Sequence, residues 1–344
     1  MKKLIAMLLI LAVALTMAAC GKTAASESTT ASESTAASAA AETTAASGTA
    51  SASAKHIAIV QLVDNSAFSE MIEAFENKLS ALGYADAVYD VKNAQGDMST
   101  LNSICAELKS ADYDLIVPIV TPAAQAVVNA GVSAPVVFIS VTNPVGAGIM
   151  GDLAKPDKNA TGTSNIVPVD EIFGLAGKLT PDLKNIGVLY CSGETNAVQT
   201  AQKAEKYLDE NGYTYKEVTV ASSAEVQQAA QSLAPKCDAI YVPIDSTVQS
   251  AMAQVVEAAT AQKIPVYGSD PVMVKSGALA CVSVSNTQLG EESAVMADQI
   301  LRGTAVADVP AKALTDYQYV VSAAAAKALG LTIPQIDGLV TIGQ

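Results

Sequence analysis

From residue 56 to residue 285, short runs of apolar and often β-branched residues alternate with longer stretches of helical periodicity. The runs predict strands at 56–63, 85–94, 113–120, 134–141, 184–191, 214–221, 237–245, 264–270 and 278–285. The stretches between them predict helices at 67–82, 99–109, 122–129, 195–211, 224–233 and 247–263. Continuous apolar strands that alternate with helices of this length indicate parallel sheets covered on both faces.

A segment rich in glycine, proline and asparagine, residues 146–168, separates two series of predicted strands. We interpret it as the passage between two α/β lobes, each built on a doubly wound parallel sheet. Such sheets bind ligands outside the carboxyl ends of their strands. Polar residues follow those ends in both series: Asp64, Asn65, Ser66, Thr121, Thr142 and Asn143 in the first, and Ser192, Glu194, Asp245, Ser246, Thr247, Ser269 and Asp270 in the second. The pattern predicts a cleft between two facing rows of polar side chains.

One predicted helix in the first series begins without an acidic residue in its first turn. It follows Thr121 and Pro122, a pair typical of helix starts, and no residue from 115 to 151 is charged. The free N–H groups of such a terminus suit an anion, and Ala123 and Ala124 leave the backbone accessible. A carboxylate could bind there, between the two alanine amides and the Thr121 hydroxyl. Alternatively, Thr121 caps its own helix.

Acidic residues in the second series supply the complement of this anion site. Asp245 and Asp270 each end a predicted strand, and Glu194 lies in the loop after another. These carboxylates suit an ammonium group, although Asp245 could equally cap the helix that follows it. The hydroxyl groups beside them belong to Ser192, Ser246, Thr247 and Ser269. A carboxylate held by one lobe and an amine held by the other describe an α-amino acid.

Composition argues against nucleic acid binding and against catalysis. The 344 residues carry a formal net charge of −14, and Arg302 is the only arginine, so groups that neutralise phosphate are scarce. The only histidine, His56, begins the first predicted strand, at the wrong end of the sheet to activate a nucleophile. Gly146, Gly148 and Gly151 match a dinucleotide-binding fingerprint in letters only, because no helix follows them. We expect neither an enzyme nor a cofactor.

Four cysteines lie in the predicted domain, and none belongs to a C-x-x-C pair: Cys105, Cys191, Cys237 and Cys281. A metal site therefore has little support. We expect these residues to act as small buried apolar side chains. Their spacing leaves open whether any two of them pair.

The first twenty residues have the features of an export signal. Met1-Lys2-Lys3 precede an apolar stretch that ends in small residues and Cys20, as in bacterial lipoprotein signals, whose cysteine is lipidated. An ordinary secretory signal cut near Ala19, or an uncleaved anchor helix, is the alternative. Residues 21–54 are rich in Ala, Ser and Thr, which predicts a disordered tether spanning roughly 30–35 Å. We therefore expect a protein of the cell membrane, lipid-anchored on its extracytoplasmic face.

Several longer blocks recur together in a familiar order: NAQGD (93–97), TPAAQA (121–126), VFISVTNPVGA (137–147), YCSGETN (190–196), EVQQAAQSL (225–233), AIYVPIDSTV (239–248) and MVKSGALA (273–280). The chain from residue 55 onward resembles the substrate-binding lipoproteins of ABC importers, in the branch associated with tryptophan and other aromatic amino acids. The resemblance implies a type I periplasmic-binding fold whose chain crosses three times between the lobes. Lobe 1 would comprise 55–163 and 284–307, and lobe 2 would comprise 164–283 and 308–344.

The resemblance also implies a ligand between the lobes, a membrane permease and its ATPase as partners, and a monomer. The implied contacts are Thr121, Ala123, Ala124 and Thr142 on one side, and Ser192, Glu194, Asn196, Asp245, Thr247 and Asp270 on the other. Ser269 adjoins this set. Asn65 and Ser66 stand where relatives often have a His-Pro pair, and Asn143 stands where aspartate is usual.

The expected function is the capture of an aromatic or other large apolar amino acid by closure of the two lobes. Two alternatives use the same fold. One is a receptor that senses a ligand for a signalling partner, and the other is an ABC receptor for a different small molecule.

Overall fold

The computed structural model describes residues 54–343, so the predicted signal peptide and the tether up to residue 53 lie outside it. Within the described residues, no helix is long and apolar enough to cross a membrane. The four cysteines of this part of the chain are all free, which answers the question of pairing that their spacing left open.

The first lobe is a six-stranded parallel sheet with helices on both faces. Its strands, in spatial order, are β11 (Lys312–Leu314), β5 (Ala160–Asn165), β4 (Val136–Val141), β3 (Leu115–Pro118), β1 (His56–Gln61) and β2 (Val88–Asn93). One face packs against α1 (Ser66–Ala81) and α10 (Asn286–Leu301). The other face packs against α2 (Met98–Leu108) and α3 (Val120–Ala130).

The second lobe is built in the same way on a seven-stranded sheet. Its strands are β13 (Leu339–Ile342), β12 (Gln318–Ser322), β10 (Ala280–Ser283), β9 (Val266–Gly268), β8 (Ala239–Tyr241), β6 (Asn185–Cys191) and β7 (Thr214–Val220). One face packs against α4 (Val169–Leu179), α5 (Thr195–Glu210) and α11 (Ala323–Ala328). The other face packs against α6 (Val226–Leu233) and α8 (Met252–Gln262), and the short helices α7 (Ser246–Ser250) and α9 (Pro271–Lys275) complete the lobe.

The predicted fold class is confirmed. The only antiparallel pairing in the two described sheets joins β10 to β12, and the chain crosses between the lobes after β5, after β10 and after β11. The third predicted crossing, at residue 307, lies too early. Residues 312–314 form β11, which pairs with β5 of the first sheet, so the chain passes to the second sheet between Leu314 and Gln318.

Strand β5 was not predicted, because its sequence ATGTSN carries no apolar run. It is nevertheless fully buried, and its hydroxyl groups find partners inside the lobe. The Thr161 hydroxyl donates to the carbonyl of Val309 at 2.7 Å, and the Thr163 and Ser293 hydroxyl oxygens lie 2.9 Å apart. Buried polar atoms that are paired in this way carry little penalty.

The single helix predicted at 247–263 is two helices in the structure, since Ala251 separates α7 from α8.

A bulge in β4 directs the chain toward the cleft between the lobes. The pairing of β4 with β5 shifts register between Phe138 and Val141, and Ser140 has a φ of +64°. Opposite the bulge, Gly162 has a φ of +149°, and a Cβ atom there would lie 2.0 Å from the carbonyl oxygen of Phe138. Only glycine tolerates that approach. The bulge turns Ser140 toward the space between the lobes.

Candidate ligand-binding site

The carboxyl ends of the strands in both sheets meet at a cavity between the two lobes. The cavity-lining residues come in equal numbers from each lobe: Ala67, Phe68, Met71, Val120, Ser140 and Thr142 from the first, and Asn196, Ile244, Asp245, Ser246, Gln249 and Asp270 from the second. Its volume is about 20 Å³, enough for about one water molecule. A ligand of amino acid size therefore enters only when the lobes move apart.

Direct contacts between the lobes hold this closed arrangement at two rims. On one rim, Lys275 of α9 forms an ion pair with Glu70 of α1. On the other rim, Asn143 Nδ2 donates to Gln199 Oε1 at 3.1 Å, and Gln199 Nε2 donates to the carbonyl of Gly146 at 3.2 Å. Each of these contacts joins a residue of the first lobe to a residue of the second, so they form only when the lobes close.

A wider groove adjoins the cavity on the side of Asn143. Its volume is about 300 Å³, and Thr142 lines both the groove and the cavity. The groove has an apolar floor that includes Leu153 and Val167, and the exposed side chains of Val145 and Ile166 stand at its edge. An apolar side chain of a ligand would find both room and apolar contacts there.

A larger groove, of about 460 Å³, lies in the second lobe between α8, α9 and α11. It is lined by the residues that precede β9 and β10, at the opposite end of the sheet from the cleft. Doubly wound sheets bind ligands at the carboxyl ends of their strands. We therefore place the candidate site in the cleft and not in this larger groove.

Four of the predicted site residues line the cavity: Thr142, Asn196, Asp245 and Asp270. Others lie at its border. Asn65 caps α1, where its Oδ1 accepts the N–H of Phe68 at 3.1 Å, and Ser66 is exposed at the start of the same helix. Asn143 belongs to the rim contact with Gln199.

The alternative interpretation, that Thr121 caps its own helix, is wrong. Helix α3 begins at Val120, with Ile119 as its N-cap, and no side chain of the described residues caps it. The Thr121 hydroxyl instead accepts the N–H of Thr142 at 3.3 Å, which joins the ends of two strands. Ala123 and Ala124 are buried in the apolar core and do not line the cavity.

Val120 takes an unusual conformation where it borders the cavity. Its φ is +58°, in the left-handed region that β-branched residues avoid. Together with Ser140, it is one of two strained residues in the wall of the first lobe. Strain of this kind collects at functional sites.

Glu194 and Thr247 serve the start of helix α7 and do not face the cavity. Glu194 is buried, and its Oε2 accepts the N–H of Ser246 at 3.0 Å. Its Oε1 accepts the N–H and the hydroxyl of Thr247 at 2.8 and 2.7 Å. The predicted contact of Glu194 with an ammonium group therefore has no free oxygen to support it. Two other predicted hydroxyl groups also bond to the protein itself. The Ser192 hydroxyl donates to the carbonyl of Val220, and the Ser269 hydroxyl donates to the carbonyl of Val242.

Asp245 caps α7, as one of the two sequence interpretations proposed, while it also lines the cavity. Its Oδ1 accepts the N–H of Val248 at 2.7 Å, and its Oδ2 accepts the N–H of Cys191. Burial, reinforced by the nearby carboxylate of Glu194, raises the pKa of Asp245 well above its ordinary value. Each of its two oxygens therefore already accepts a backbone N–H.

Asp270 is the acidic side chain best placed to meet a ligand. Burial raises its pKa to about 6, although its hydrogen bonds to the N–H of Val272 and to Asn286 act in the opposite direction. Glu70 raises the pKa further and Lys275 lowers it. The Cys281 thiol also lies close, since the charge of Asp270 helps to raise the thiol pKa. Only one oxygen of Asp270 is occupied by the backbone of α9.

Buried side-chain polar atoms without a partner cluster around the cleft. In the part of the chain that the structure describes, five of them border it or lie at nearby strand and helix ends: Gln61 Oε1, Asn65 Nδ2, Asn196 Oδ1, Gln249 Nε2 and Asn286 Oδ1. Buried polar groups are nearly always paired. Water or a ligand must therefore supply hydrogen-bond partners to these atoms.

Sequence patterns did not single out Gln249 or Ser140. Gln249 lies one helical turn after Asp245 and shares its face of α7, so the spacing could have indicated it. Ser140 reaches the cavity because of the bulge in β4, and no sequence pattern predicted that bulge. Phe68, Met71 and Ile244 also line the cavity. From sequence, apolar residues at such positions are ordinarily expected to belong to the core.

Residues 56–336 match the family described as ABC transporter substrate binding protein. The chain belongs to this family. As a substrate-binding protein of an ABC transporter, it is extracytoplasmic, it takes a small-molecule ligand, and it has a permease with its ATPase as partners.

Individual relatives support the same assignment. A tyrosine-binding protein of Clostridioides difficile is 36% identical over 288 residues, which cover 83% of this chain and 84% of the relative. The solved structure of an ABC domain from Streptococcus pneumonia in complex with L-Trp is 33% identical, with a TM-score of 0.79 over 82% of this chain and 97% of the other.

The closed state of the two lobes is also reflected in the shapes of two relatives. The ligand-free, open structure of a substrate-binding protein with adhesive properties from Clostridium difficile is 36% identical and covers 84% of this chain and 99% of the other. Its TM-score is only 0.64. The structure with L-Trp bound is therefore more similar in shape although less similar in sequence, which agrees with the contacts between the two lobes.

We predict that Glu194→Ala destabilises the protein, because the N–H groups of Ser246 and Thr247 lose their acceptor. The loss should be about 1–3 kcal/mol in the free energy of unfolding, measured by urea denaturation. Ser192→Ala is the matched control, since Ser192 is exposed in the same loop, and it should unfold like the wild type. Equal stability of both variants would contradict the structural role of Glu194.

Proposed function

We propose that this protein captures an aromatic amino acid between its two lobes and delivers it to the permease of an ABC importer. The proposal is supported by one relative named for tyrosine binding and by another solved with L-Trp bound. Both exceed 30% identity and extend over most of this chain. The observation that carries the proposal is the closed cleft, which buries unpaired polar atoms beside an acidic side chain.

The chemistry of the cavity suits the head group of an amino acid. Asp270 is buried and has an oxygen that its own helix does not use, so an ammonium group would supply its counter-charge. Asn196 Oδ1 and Gln249 Nε2 offer an acceptor and a donor in the same cavity. Charge-assisted hydrogen bonds of this kind contribute about 1.5–3 kcal/mol each. With Thr142 and Asp245, these residues form the site that we propose.

Binding would involve no covalent step. Ligand would stabilise the closed form over the open form, and the population of closed receptor would be the signal that the permease recognises. The rim contacts of Glu70 with Lys275 and of Asn143 with Gln199 favour that closed form once the ligand supplies hydrogen-bond partners to the unpaired atoms in the cavity. We propose that the receptor acts as a monomer and is not an enzyme.

We expect isothermal titration calorimetry to detect binding of at least one of L-tyrosine, L-tryptophan and L-phenylalanine. An affinity near 1 µM would correspond to about −8 kcal/mol. The corresponding D-amino acids are the matched controls and should bind more weakly, because they cannot place the carboxylate, the ammonium group and the side chain in the same three positions. Failure of all twenty amino acids to bind would overturn the proposal.

The affinity for an aromatic amino acid should fall in acid, because an ammonium group favours the ionised form of Asp270. Since burial raises the pKa of Asp270 to about 6 in the closed arrangement, the carboxyl group takes up a proton there below that pH and must release it to meet the ammonium group. The affinity should therefore weaken by about tenfold between pH 7 and pH 5. Calorimetry across this range would measure it.

Asp270→Asn is the control for this pH dependence. Asparagine still caps α9, so the fold should persist, while the affinity at pH 7 falls and its change with pH disappears. A wild-type affinity that is constant from pH 7 to pH 5 would show that Asp270 does not meet the ligand.

We propose that Cys20 carries the lipid that anchors the protein outside the cell membrane. The basic residues and apolar stretch that precede Cys20 support this. Cys20→Ser should move the protein from the detergent phase to the aqueous phase in detergent partition. Cys105→Ser, which alters a buried cysteine, should leave partition unchanged. Retention of the Cys20 variant in the detergent phase would instead favour an uncleaved anchor helix.

A further inference from the structure

The two walls of the cleft cavity differ in polarity. The first lobe contributes a mainly apolar wall, formed by Ala67, Phe68, Met71 and Val120. The polar members of this wall are Ser140 and Thr142. The second lobe contributes a mainly polar wall: Asn196, Asp245, Ser246, Gln249 and Asp270, with Ile244 as the exception. This division does not match a ligand whose carboxylate and amine are held by different lobes.

Gln249 is an unpaired donor in the polar wall. Its side chain is 7% exposed, and its Nε2 has no hydrogen-bond partner among residues 54–343. A buried N–H group without a partner destabilises the protein, so its presence calls for an acceptor that is missing from the protein. The donor lies on the same face of α7 as Asp245.

Asn196 is the matching unpaired acceptor. Its Nδ2 donates to the carbonyl of Ile244 at 2.8 Å, which leaves Oδ1 as the end that faces other partners. This oxygen is buried and has no donor in the described chain. One wall of the cavity therefore carries an unpaired donor, an unpaired acceptor and the carboxylate of Asp270.

We propose that the second lobe holds both ends of the amino acid head group, with Gln249 Nε2 donating to the ligand carboxylate. Asn196 Oδ1 and Asp270 accept from the ligand ammonium group. This inference rests on the proposed function and refines it. The start of α3 then has no part in carboxylate binding, since Thr121, Ala123 and Ala124 do not line the cavity.

The arrangement also gives an order of events. In the open form, the ligand head group docks on the second lobe, where its partners are already assembled on α5, on α7 and at the N-cap of α9. The first lobe then closes over it with Phe68, Met71 and Val120 and excludes water. The apolar wall makes the hydrogen bonds beneath it stronger, because they lie in a medium of low dielectric constant.

The test compares Gln249→Met with Thr121→Val, each of which removes one polar group at nearly constant volume. Gln249→Met should weaken binding of L-tyrosine and L-tryptophan by about 10- to 100-fold in calorimetry. Thr121→Val should change the affinity by less than about twofold, although its urea midpoint should fall because the N–H of Thr142 loses its acceptor. The urea midpoint of Gln249→Met should equal or exceed that of the wild type, because no hydrogen bond of the protein is lost.

Each outcome decides a different point. Wild-type affinity in Gln249→Met, with the wild type binding normally, overturns the inference alone. Comparable losses in both variants, or a loss confined to Thr121→Val, place the carboxylate on the first lobe and also overturn it. A marked fall in the urea midpoint of Gln249→Met would show that the amide serves the fold and would also overturn the inference. A wild type that binds no amino acid overturns the proposed function and this inference together.

Discussion

The structure around the cleft depends on one constraint, which is that polar groups buried between two closing lobes must have partners. The protein meets most of this demand itself. Glu194 and Asp245 satisfy the start of α7, and the Thr121 hydroxyl satisfies the N–H of Thr142. The atoms that remain unpaired, such as Gln249 Nε2 and Asn196 Oδ1, are therefore informative. They outline the hydrogen bonds that a ligand has to supply.

The same constraint explains why the lobes can close and open. Closure forms an ion pair and side-chain hydrogen bonds at the rims, and exposed contacts of this kind contribute little by themselves. Closure without a ligand also leaves polar atoms buried and unpaired. In addition, Val120 and Ser140, in the cavity wall of the first lobe, have strained backbone conformations. A ligand that pairs these atoms shifts the balance toward the closed form.

Much of the site could be predicted from sequence, because parallel sheets place the ends of their strands along one edge. Thr142, Asn196, Asp245 and Asp270 were selected in this way or through the family resemblance, and they do line the cavity. The roles of other residues could not be predicted. Glu194 was assigned to the ligand, yet its partner is a backbone segment more than fifty residues away. Spacing along the chain does not reveal which acceptor a given N–H group will find.

The sequence by itself determined the fold class, the two lobes and the edge of the sheets at which the cleft lies, because hydrophobic periodicity and the alternation of strands with helices can be read along the chain. It did not determine β5 or the third crossing, since a strand of threonine and serine becomes buried only when distant residues bond to its hydroxyls. Only the tertiary structure decided which polar atoms are used by the protein and which remain for a ligand. The reason is that each hydrogen bond joins groups from separate elements, whose approach is set by packing of the whole fold.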